Sequence, residues 1–495
     1  MRLEFLNRQK EIQKLTRALS RSEPAFVVLY GRRRCGKSTL LQQIARTTDI
    51  YYLADQQERP LQIQGLAREI GRQVKGFDQV HYPSWEVLLN ALQNQARPGT
   101  ALILDEFPYL VQKSPELPSV IQKLIDSHQN RVHIVVCGSS QRMMQGLVLD
   151  STAPLYGRAL EIIRLRPLKA GWIMNALKLD PISAVEAYSV WGGIPRYWEL
   201  AKPFPDLETA CKELVLDRDG VLHDEPVRLL LDDMRGASQA HSLLALIAGG
   251  ANRLSEIAGR LGKPATNMTR PLSNLIQLGL IKREIPFGTS HRAGKKSLYR
   301  VADPFLLFWY RLVPPNRSML EQDMVEEVYA ASAQQIGAQI AEVWEELARI
   351  SISRFEIAGH RWKPASRWWG NGLDGKKMEI DVVSESIDGK YLLVGEAKWE
   401  AKTKVSAIKK RLEKKAENFP LLKNRTVFTA VWCKQSGNHV EDENRKIYYR
   451  QDAFRPGQVP TGPDARAPLQ VQPQVQGMRQ DSPSAGNTEQ NDECG

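Results

Sequence analysis

The sequence predicts an α/β multidomain protein. Its 495 residues exceed what one ordinary hydrophobic core can organise, so several domains are expected. With 42% hydrophobic and 25% charged residues, the composition is typical of a soluble globular protein. Over residues 1–165, short apolar runs alternate with amphipathic stretches, a pattern typical of a parallel sheet with helices between its strands. A parallel-sheet core is therefore expected at the start of the chain.

The core and the segment after it are predicted from hydrophobic periodicity. Residues 166–235 are expected to be mainly helical. Four apolar runs of the core are predicted to be strands, namely Ala25–Tyr30, Ile50–Leu53, Ala101–Leu104 and Val132–Cys137.

The rest of the chain divides by composition. Residues 236–312 contain helices followed by a hairpin, and the prolines after them predict a linker over residues 313–330. A helix-poor, Trp-rich domain is expected over residues 331–450. Residues 451–495 are rich in proline and glutamine and too poor in apolar residues to bury a core, which predicts a disordered tail.

Charge and cysteine usage narrow the function classes. A formal net charge of +12 at pH 7 favours polyanionic partners such as nucleic acid, although many basic proteins have none. The five cysteines form no CxxC pair, so neither a disulfide framework nor a zinc ribbon is expected. The longest apolar runs are far shorter than a membrane span, and no signal-peptide pattern opens the sequence. A cytoplasmic protein without a membrane partner is expected.

A phosphate-binding loop is the most specific motif. Residues 31–38, GRRRCGKS, match GxxxxGK[ST] between an apolar strand and a predicted helix, which is the context that this motif requires. Loop amides and the helix N-terminus favour phosphates there. Lys37 is expected to reach the β- and γ-phosphates of ATP, and the Ser38 hydroxyl to ligate Mg²⁺. The residues assigned to ATP binding in this run are Gly31, Gly36, Lys37, Ser38 and Thr39.

Two carboxylates follow the third predicted strand. Asp105 and Glu106 come directly after the apolar run Ala101–Leu104. Asp105 is expected to hold Mg²⁺, and Glu106 to polarise the attacking water, a contribution of about 10²–10⁴-fold for general-base catalysis. Such a pair could merely cap a helix, but the phosphate loop upstream favours ATP hydrolysis.

Two further residues are catalytic candidates. Ser139, after the fourth strand, is expected to contact the γ-phosphate or the water, although a simple strand-to-helix turn would have the same sequence. Arg158 follows Gly157 and is a candidate arginine finger, because a guanidinium at the γ-phosphate stabilises the transition state. Two alternatives remain for Arg158: it acts on the nucleotide of its own chain, in cis, or on that of another copy, in trans. Action in trans requires a homo-oligomer.

Several motifs occur together in a defined order along residues 1–235. They are Phe5-Leu-Asn7-Arg8 with Glu11, Tyr30-Gly-Arg-Arg-Arg, Asp105-Glu106, Leu155-Tyr-Gly157-Arg158 and Gly192-Gly-Ile-Pro195. Together they resemble the archaeal-type ATPase family, which belongs to the AAA+/STAND group of P-loop ATPases. The resemblance implies a P-loop ATPase core over residues 1–165 and a helical lid over 166–235. It further implies that Asn7 and Arg8 lie near the adenine, that Pro195 packs by the nucleotide, and that Ser139 or Ser140 is a polar sensor.

A winged helix-turn-helix is predicted within residues 236–312. Helices over Ser255–Leu261, with Ser255 as its cap, and Ala265–Leu278 precede strands over Ile281–Pro286 and Ser297–Val301 that flank a basic tip. If the unit reads DNA, exposed residues of the second helix face the major groove and wing lysines neutralise phosphates. A docking or regulatory unit is the alternative. The residues assigned to DNA contact are Thr266, Asn267, Arg270, Lys295 and Lys296.

Carboxylates and a lysine recur near the end of the chain. A predicted strand carries Asp381, and the next strand carries Glu396 and Lys398 on one face, because strand side chains alternate. Two carboxylates and a lysine at one place suit Mg²⁺-dependent phosphodiester hydrolysis.

The spacing of Asp381 and Glu396-x-Lys398 resembles the PD-(D/E)xK nuclease fold, an α/β restriction-endonuclease-like domain. The resemblance implies an upstream helical acid, and Glu345 on a helix predicted over Ala338–Ile350 is chosen over Glu346. Residues 398–415 are strongly basic, which suits a phosphate backbone but also a solvated helix face.

The preferred hypothesis is an ATPase whose nucleotide state controls a DNA-contacting winged helix and a nuclease-like domain, with metal-dependent DNA cleavage as a further activity. The alternative is an ATP-dependent signalling or scaffold switch, or a transcriptional regulator, with a catalytically inactive C-terminal domain.

Overall fold

The structure is a computed structural model that describes residues 3–127, 130–233, 236–290, 296–400, 404–423, 425–434 and 474–478. Its described residues fall into two compact units. The first contains the chain up to Arg283 together with Tyr299–Gly337. The second contains Glu284–Leu298 and the described residues from Ala338 onward.

The first unit is built on a five-stranded parallel sheet of order β2-β3-β4-β1-β5. The strands are β1 (Phe26–Tyr30), β2 (Ile50–Leu53), β3 (Ala101–Asp105), β4 (His133–Gly138) and β5 (Glu161–Arg164). The helices are α1 (Gln9–Leu19), α2 (Lys37–Ile44), α3 (Arg59–Gly71), α4 (Trp85–Gln95), α5 (Phe107–Lys113), α6 (Leu117–Asp126) and α7 (Gln141–Val148).

The prediction of a parallel α/β core is confirmed. Strands β1, β3 and β4 are buried along their whole length, as expected of central strands with both faces covered. The four predicted strands are present with bounds shifted by at most one residue. Strand β5 was not predicted, because it lies at the sheet edge and only Ile162 and Ile163 make an apolar pair between Glu161 and Arg164.

Helices dominate the next segment, as expected. They are α8 (Trp172–Leu177), α9 (Pro181–Trp191), α10 (Pro195–Ala201), α11 (Leu207–Cys211), which continues as a π-helical turn over Lys212–Leu216, and α12 (Glu225–Asp233). Gly193 allows the turn between α9 and α10 to approach the preceding loop, since a Cβ there would lie 2.1 Å from the Leu168 carbonyl oxygen.

Four helices follow, with a hairpin before the last of them. They are α13 (Ala237–Ala248), α14 (Leu254–Arg260), α15 (Thr269–Leu278), β6 (Ile281–Glu284), β7 (Leu298–Val301) and α16 (Pro304–Leu312). The predicted order of elements is present, but the prediction that Ser255 caps a helix is wrong. Helix α14 begins one residue earlier, at Leu254, so Ser255 lies inside its first turn. A 3-10 turn over Ala265–Met268 precedes α15, where one continuous helix was predicted.

The predicted linker is wrong as well. A 3-10 turn over Pro314–Asn316 leads into α17 (Arg317–Leu320) and α18 (Val325–Ala331). Proline is compatible with the first positions of a helix, because the missing N–H is one that the helix leaves unpaired. Leu320 and Val328 are buried, so these short helices pack on the first unit rather than spanning between domains.

The second unit contains a mixed five-stranded sheet of order β10-β11-β12-β13-β14. Strands β12 and β13 are parallel, and the other pairs are antiparallel. The elements are α19 (Ala333–Ile352), β8 (Glu356–Ile357), β9 (His360–Arg361), β10 (Ser366–Asn371), β11 (Lys377–Glu385), β12 (Tyr391–Lys398), α20 (Val405–Glu417), β13 (Thr426–Cys433) and β14 (Gln474–Met478).

Two expectations for the C-terminal part need correction. The segment is not poor in helix, because α19 has 20 residues and α20 has 13. Within the predicted disordered tail, Gln474–Met478 pairs with β13 as an antiparallel edge strand. Main-chain hydrogen bonds supply that pairing, so a low apolar content does not prevent it. The other residues of 451–495 lie outside the described part of the chain.

Across the described ranges, none of the helices combines the length and the apolar content that crossing a bilayer requires.

Prediction on the close approach at Gly31. A Cβ at Gly31 would lie 2.3 Å from the main-chain oxygen of Leu165, just after β5. We expect Gly31→Ala to lower the free energy of unfolding by about 1–3 kcal/mol, since backbone on both sides must move. Thermal melting measures the loss. Gly146→Ala is the control, because a Cβ there meets nothing within 4 Å and alanine favours the helix. Equal melting temperatures for the two variants would contradict the expectation.

Candidate functional site

The phosphate loop lies between β1 and α2, at the carboxyl end of the sheet. Gly36 has φ of 88° and Arg34 has φ of 67°, so two residues of the loop are in the left-handed region. Gly36 directly precedes α2, whose first residue is Lys37. The helix therefore begins where the predicted ligand phosphates would lie, and its unpaired N–H groups favour anions there.

Lys37 is held inside the loop. Its side chain is buried, and Nζ donates hydrogen bonds to the main-chain oxygens of Gly31 at 3.0 Å and Arg32 at 3.2 Å. The ammonium group thus lies inside the loop, at the place where the loop amides would bind a phosphate. Thr39, also assigned to ATP binding, is exposed on α2.

Ser38 and Asp105 meet at one hydroxyl group. Tyr51 on β2 donates a hydrogen bond of 2.6 Å to Oδ2 of Asp105, and Ser38 hydrogen-bonds to the same tyrosine hydroxyl. Asp105 is fully buried. Burial and the contact with Asp105 raise the pKa of Tyr51, so it stays a neutral donor. A hydroxyl and a carboxylate that converge in this way fit Mg²⁺, a hard cation that prefers oxygen ligands. Tyr51 was not predicted, because an alternating strand gives no sign of its partner.

Glu106 is oriented by Ser139. Ser139 Oγ lies 2.8 and 2.7 Å from the two carboxylate oxygens of Glu106, and the Ser139 amide donates at 3.2 Å. Glu106 has φ of 54°, a left-handed conformation that costs energy in a non-glycine residue and is frequent at functional sites. The two predicted catalytic residues are therefore brought together. Ser140 instead caps α7 by accepting a hydrogen bond from the Met143 amide.

The resemblance implies that Asn7 and Arg8 lie near the adenine and that Pro195 packs by the nucleotide. Asn7 and Arg8 both have positive φ, and Arg8 donates a 3.2 Å hydrogen bond to the Cys35 carbonyl of the phosphate loop. Burial lowers the pKa of Arg8 despite the neighbouring Glu11. Pro195 begins α10 directly after the buried Ile194. Arg8 is thus adjacent to the phosphate loop, and its place near the adenine stays a prediction.

Arg158 is far from the phosphate loop of its own chain. It pairs with Asp126 at 2.8 Å and donates to the carbonyl oxygens of Pro154 and Tyr156. Leu160 hydrogen-bonds to Phe26, the first residue of β1, so this segment lies at the amino end of the sheet. The phosphate loop follows the last residue of β1, at the opposite end of that strand. Each residue of the strand adds about 3.3 Å to the separation. A role of Arg158 in cis is therefore wrong.

The second predicted helix of the helix-turn-helix is joined to the parallel-sheet core. Gln141, the first residue of α7, donates a 3.1 Å hydrogen bond to the Leu278 carbonyl at the end of α15. Arg164, the last residue of β5, donates a 2.7 Å bond to the Gln277 carbonyl. Only Ser140 separates Ser139 from α7, so the segment that contacts Glu106 and the end of α15 are joined through Gln141.

The residues assigned to DNA contact are placed as follows. Thr266 and Asn267 in the 3-10 turn before α15, and Arg270 in the first turn of α15, are all exposed. Lys296 is exposed, and Lys295 lies outside the described residues. The base of the predicted wing packs within the second unit, where the Phe287 amide donates a 2.8 Å bond to the Arg367 carbonyl and Glu284 pairs with Arg367 at 3.6 Å. This packing was not predicted from the sequence.

The C-terminal carboxylates and lysine converge. Strands β11 and β12 pair Val382 with Gly395, which sets Asp381 beside Glu396. Lys398 Nζ lies 3.0 Å from Glu396 and 3.9 Å from Asp381. Burial and the charge of Glu396 raise the pKa of Asp381, and the Ala397 amide donates to it at 3.1 Å.

Two basic residues of α20 complete this cluster. Arg411 and Lys415 approach the Glu396 carboxylate at 3.1 and 2.6 Å. Burial alone would raise the pKa of Glu396, but Lys415 and Lys398 hold it below its ordinary value. Burial lowers the pKa of Lys398, whereas Glu396, Asp381 and, more weakly, Glu345 raise it above its ordinary value. Arg411 and Lys415 were missed, because the sequence shows only that this helix is basic.

The C-terminal cluster is an ion-pair network and does not fit a resident metal. Glu345 pairs with Arg349 at 3.8 Å. Across the described ranges, no three metal-ligating side chains come together. Both oxygens of Glu396 already accept from cations. A divalent cation would have to displace Lys415 or Arg411 to reach Glu396.

Comparison with known proteins covers most of the chain. Residues 5–200 match a family described as an ATPase domain predominantly from Archaea. Residues 309–411 match a family described as archaea bacterial proteins of unknown function. An uncharacterized protein of Methanocaldococcus jannaschii is 30% identical over 403 residues, which are 80% of this chain and 87% of that protein.

Solved structures are also similar to this chain. The Walker-type ATPase of Pyrococcus abyssi is 21% identical with a TM-score of 0.47, over 62% of this chain and 96% of that one. The ORC2 protein of Aeropyrum pernix is 17% identical with a TM-score of 0.41, over 67% and 96% of the two chains. On its domain match, its relative and its phosphate loop, the chain belongs to the archaeal-type ATPase family of P-loop proteins.

Proposed function

We propose that this protein is a Mg²⁺-dependent ATP hydrolase whose nucleotide state controls a DNA-contacting winged helix and a nuclease-like domain. The observation that carries the proposal is that Ser38 and Asp105 meet at the Tyr51 hydroxyl, in a site whose phosphate loop encloses the buried Lys37. Ser38 and Asp105 would hold Mg²⁺, which when bound would neutralise charge on the phosphates. Lys37 and the loop amides bind and orient the triphosphate.

Glu106 is the residue that would accept the proton of the attacking water. Its carboxylate is held by a neutral hydroxyl group, that of Ser139. Asp105 likewise accepts from neutral Tyr51. The two carboxylates are therefore oriented without being neutralised by a lysine or arginine. Arg158 would reach a phosphate only in trans, which requires a second copy of the chain.

Control of the winged helix rests on the hydrogen bond from Gln141 to Leu278. Ser139 is two residues before Gln141, and Ser139 contacts the proposed general base. A change in Glu106 on hydrolysis would shift α7, and α7 holds the end of α15. This supports a winged helix that responds to the bound nucleotide, with its exposed start free to meet a duplex.

For the C-terminal domain, the second candidate function is favoured, in which the domain is catalytically inactive. Its strands bring Asp381, Glu396 and Lys398 together in the way that a nuclease-like fold implies. The three cations on Glu396 favour a domain that has kept this fold without metal-dependent cleavage. We propose that it binds nucleic acid or protein as part of an ATP-dependent switch.

Prediction on ATP binding and turnover. Lys37→Ala removes the phosphate contact, and we expect it to abolish ATP binding. Glu106→Gln preserves the shape of the carboxylate but not its basicity, so binding of ATP should persist while turnover falls about 10²–10⁴-fold. Isothermal titration calorimetry and phosphate release measure the two effects. Turnover unchanged in Glu106→Gln would remove its assignment as general base.

Prediction on DNA contact. We expect Arg270→Ala to weaken binding of duplex DNA by roughly 1–3 kcal/mol. Arg317→Ala is the matched control, because Arg317 is also an exposed arginine but lies on α17 and pairs with Glu321. Fluorescence anisotropy with a labelled duplex, at two salt concentrations, measures both. If the two variants bind alike, α15 is not the DNA-contacting surface.

Prediction on cleavage. Because Glu396 is occupied by cations, we expect purified protein with Mg²⁺ or Mn²⁺ to leave supercoiled plasmid intact, with and without ATP. Agarose gels report nicking and linearisation. Cutting by the wild type that disappears in Lys398→Ala would overturn this expectation and establish a nuclease, whereas cutting by both proteins alike would identify a contaminant.

A further inference from the structure

Arg32 of the phosphate loop forms an ion pair that the loop motif does not require. Its guanidinium contacts the carboxylate of Asp303, and both side chains are buried. The same guanidinium donates a 3.2 Å hydrogen bond to the hydroxyl of Tyr197 on α10. Burial opposes the charge on Arg32, but Asp303 and then Tyr197 raise its pKa above the ordinary value. Asp303 lies directly before α16, outside the parallel-sheet core.

A second arginine of the loop is paired in the same region. Arg34 lies 3.1 Å from Glu225 at the start of α12, and Glu225 also accepts a 3.1 Å hydrogen bond from Tyr197. Arg34 is one of the two loop residues with positive φ. Two acidic residues from later segments thus neutralise two cations of the loop, and Tyr197 joins the pairs.

The side chain of Arg32 is linked through its own backbone to the phosphate contact. The main-chain oxygen of Arg32 accepts a hydrogen bond from Lys37 Nζ at 3.2 Å. If the Arg32 side chain lost its anchor, this carbonyl would lose its fixed position. The placement of Lys37 would change with it. Asp303 is thus connected to Lys37 through Arg32.

We propose that Asp303 is a positioning residue for the phosphate loop, and that nucleotide binding by this protein depends on a carboxylate supplied from beyond the ATPase core. The inference rests on the proposed ATP binding. The same carboxylate caps α16 through the Leu306 amide at 3.0 Å, and Phe305 of α16 packs on the Tyr197 ring with centroids 4.5 Å apart. The phosphate loop and α16 are consequently held by the same carboxylate, so a displacement of the loop would also displace the start of α16.

The capping role allows a selective substitution. Asp303→Asn removes the charge, and asparagine caps a helix as well as aspartate does. We expect the affinity for Mg²⁺-ATP to fall roughly tenfold or more, because a buried arginine without its partner pulls away from its site. Arg32→Gln should have a similar effect. In Arg32→Gln with Asp303→Asn, no buried charge is left unpaired, and affinity should recover toward the wild-type value because the two losses are not additive.

Asp49→Asn is the matched control for lost stability. Asp49 is buried and pairs with Arg46 at 2.8 Å, but it lies before β2, at the end of the sheet away from the loop. All variants are compared by thermal melting and by titration with Mg²⁺-ATP. We expect Asp49→Asn to lower the melting temperature and leave ATP affinity unchanged.

The outcomes separate this inference from the proposed function. Wild type that binds ATP, together with Asp303→Asn that binds it equally well, would overturn the positioning role and leave the ATPase proposal intact. A double variant that binds Mg²⁺-ATP no better than either single variant would also overturn the positioning role. If Asp303→Asn alone does not fold, the double variant is compared with Arg32→Gln. Absence of ATP binding in the wild type would instead overturn the proposed function and the inference with it.

Discussion

The accumulation of positive charge in the phosphate loop is the constraint on which the rest of the first unit depends. Three arginines and Lys37 lie within the short run from Gly31 to Ser38, between a buried strand and a helix N-terminus. Charges withdrawn from water are costly unless they are paired. The fold meets this cost with Asp303 and Glu225, so segments that follow the core are required for the loop to keep its shape. The ATPase core and the later helices are consequently joined by these buried ion pairs.

The two carboxylate sites of the chain differ in what surrounds similar residues. At the sheet end of the first unit, Asp105 and Glu106 accept from the neutral hydroxyls of Tyr51 and Ser139. In the second unit, Glu396 accepts from Lys398, Arg411 and Lys415. A neutral donor orients a carboxylate without forming an ion pair with it. Three cations instead form ion pairs with Glu396. Residues of similar type therefore favour chemistry in the first unit and an ion-pair network in the second.

Short polar connections give the first unit a route between its site and its later helices. Ser139 touches Glu106, and the next turn of chain carries Gln141, which holds the end of α15. On the other side, Arg32 joins the loop to the start of α16. Each connection is buried or partly buried, where hydrogen bonds and ion pairs are weakly screened by solvent. The site is thus in contact with both elements that flank the β6–β7 hairpin.

The sequence by itself determined the features that arise from neighbouring residues. Alternation of apolar runs predicts the strands of the core, and the run from Gly31 to Ser38 with Asp105 and Glu106 identifies the phosphate site. Strand periodicity likewise placed Glu396 and Lys398 on one face. Only the tertiary structure decided which distant groups meet these residues. It shows Arg158 at the wrong end of the sheet for a role in cis, and it pairs Arg32 with Asp303 across a long stretch of chain. It also orders residues 313–330 as helices, since Leu320 and Val328 find a core to bury against. Periodicity and motifs report local geometry, whereas an ion pair or a buried contact between distant segments depends on how the whole chain packs.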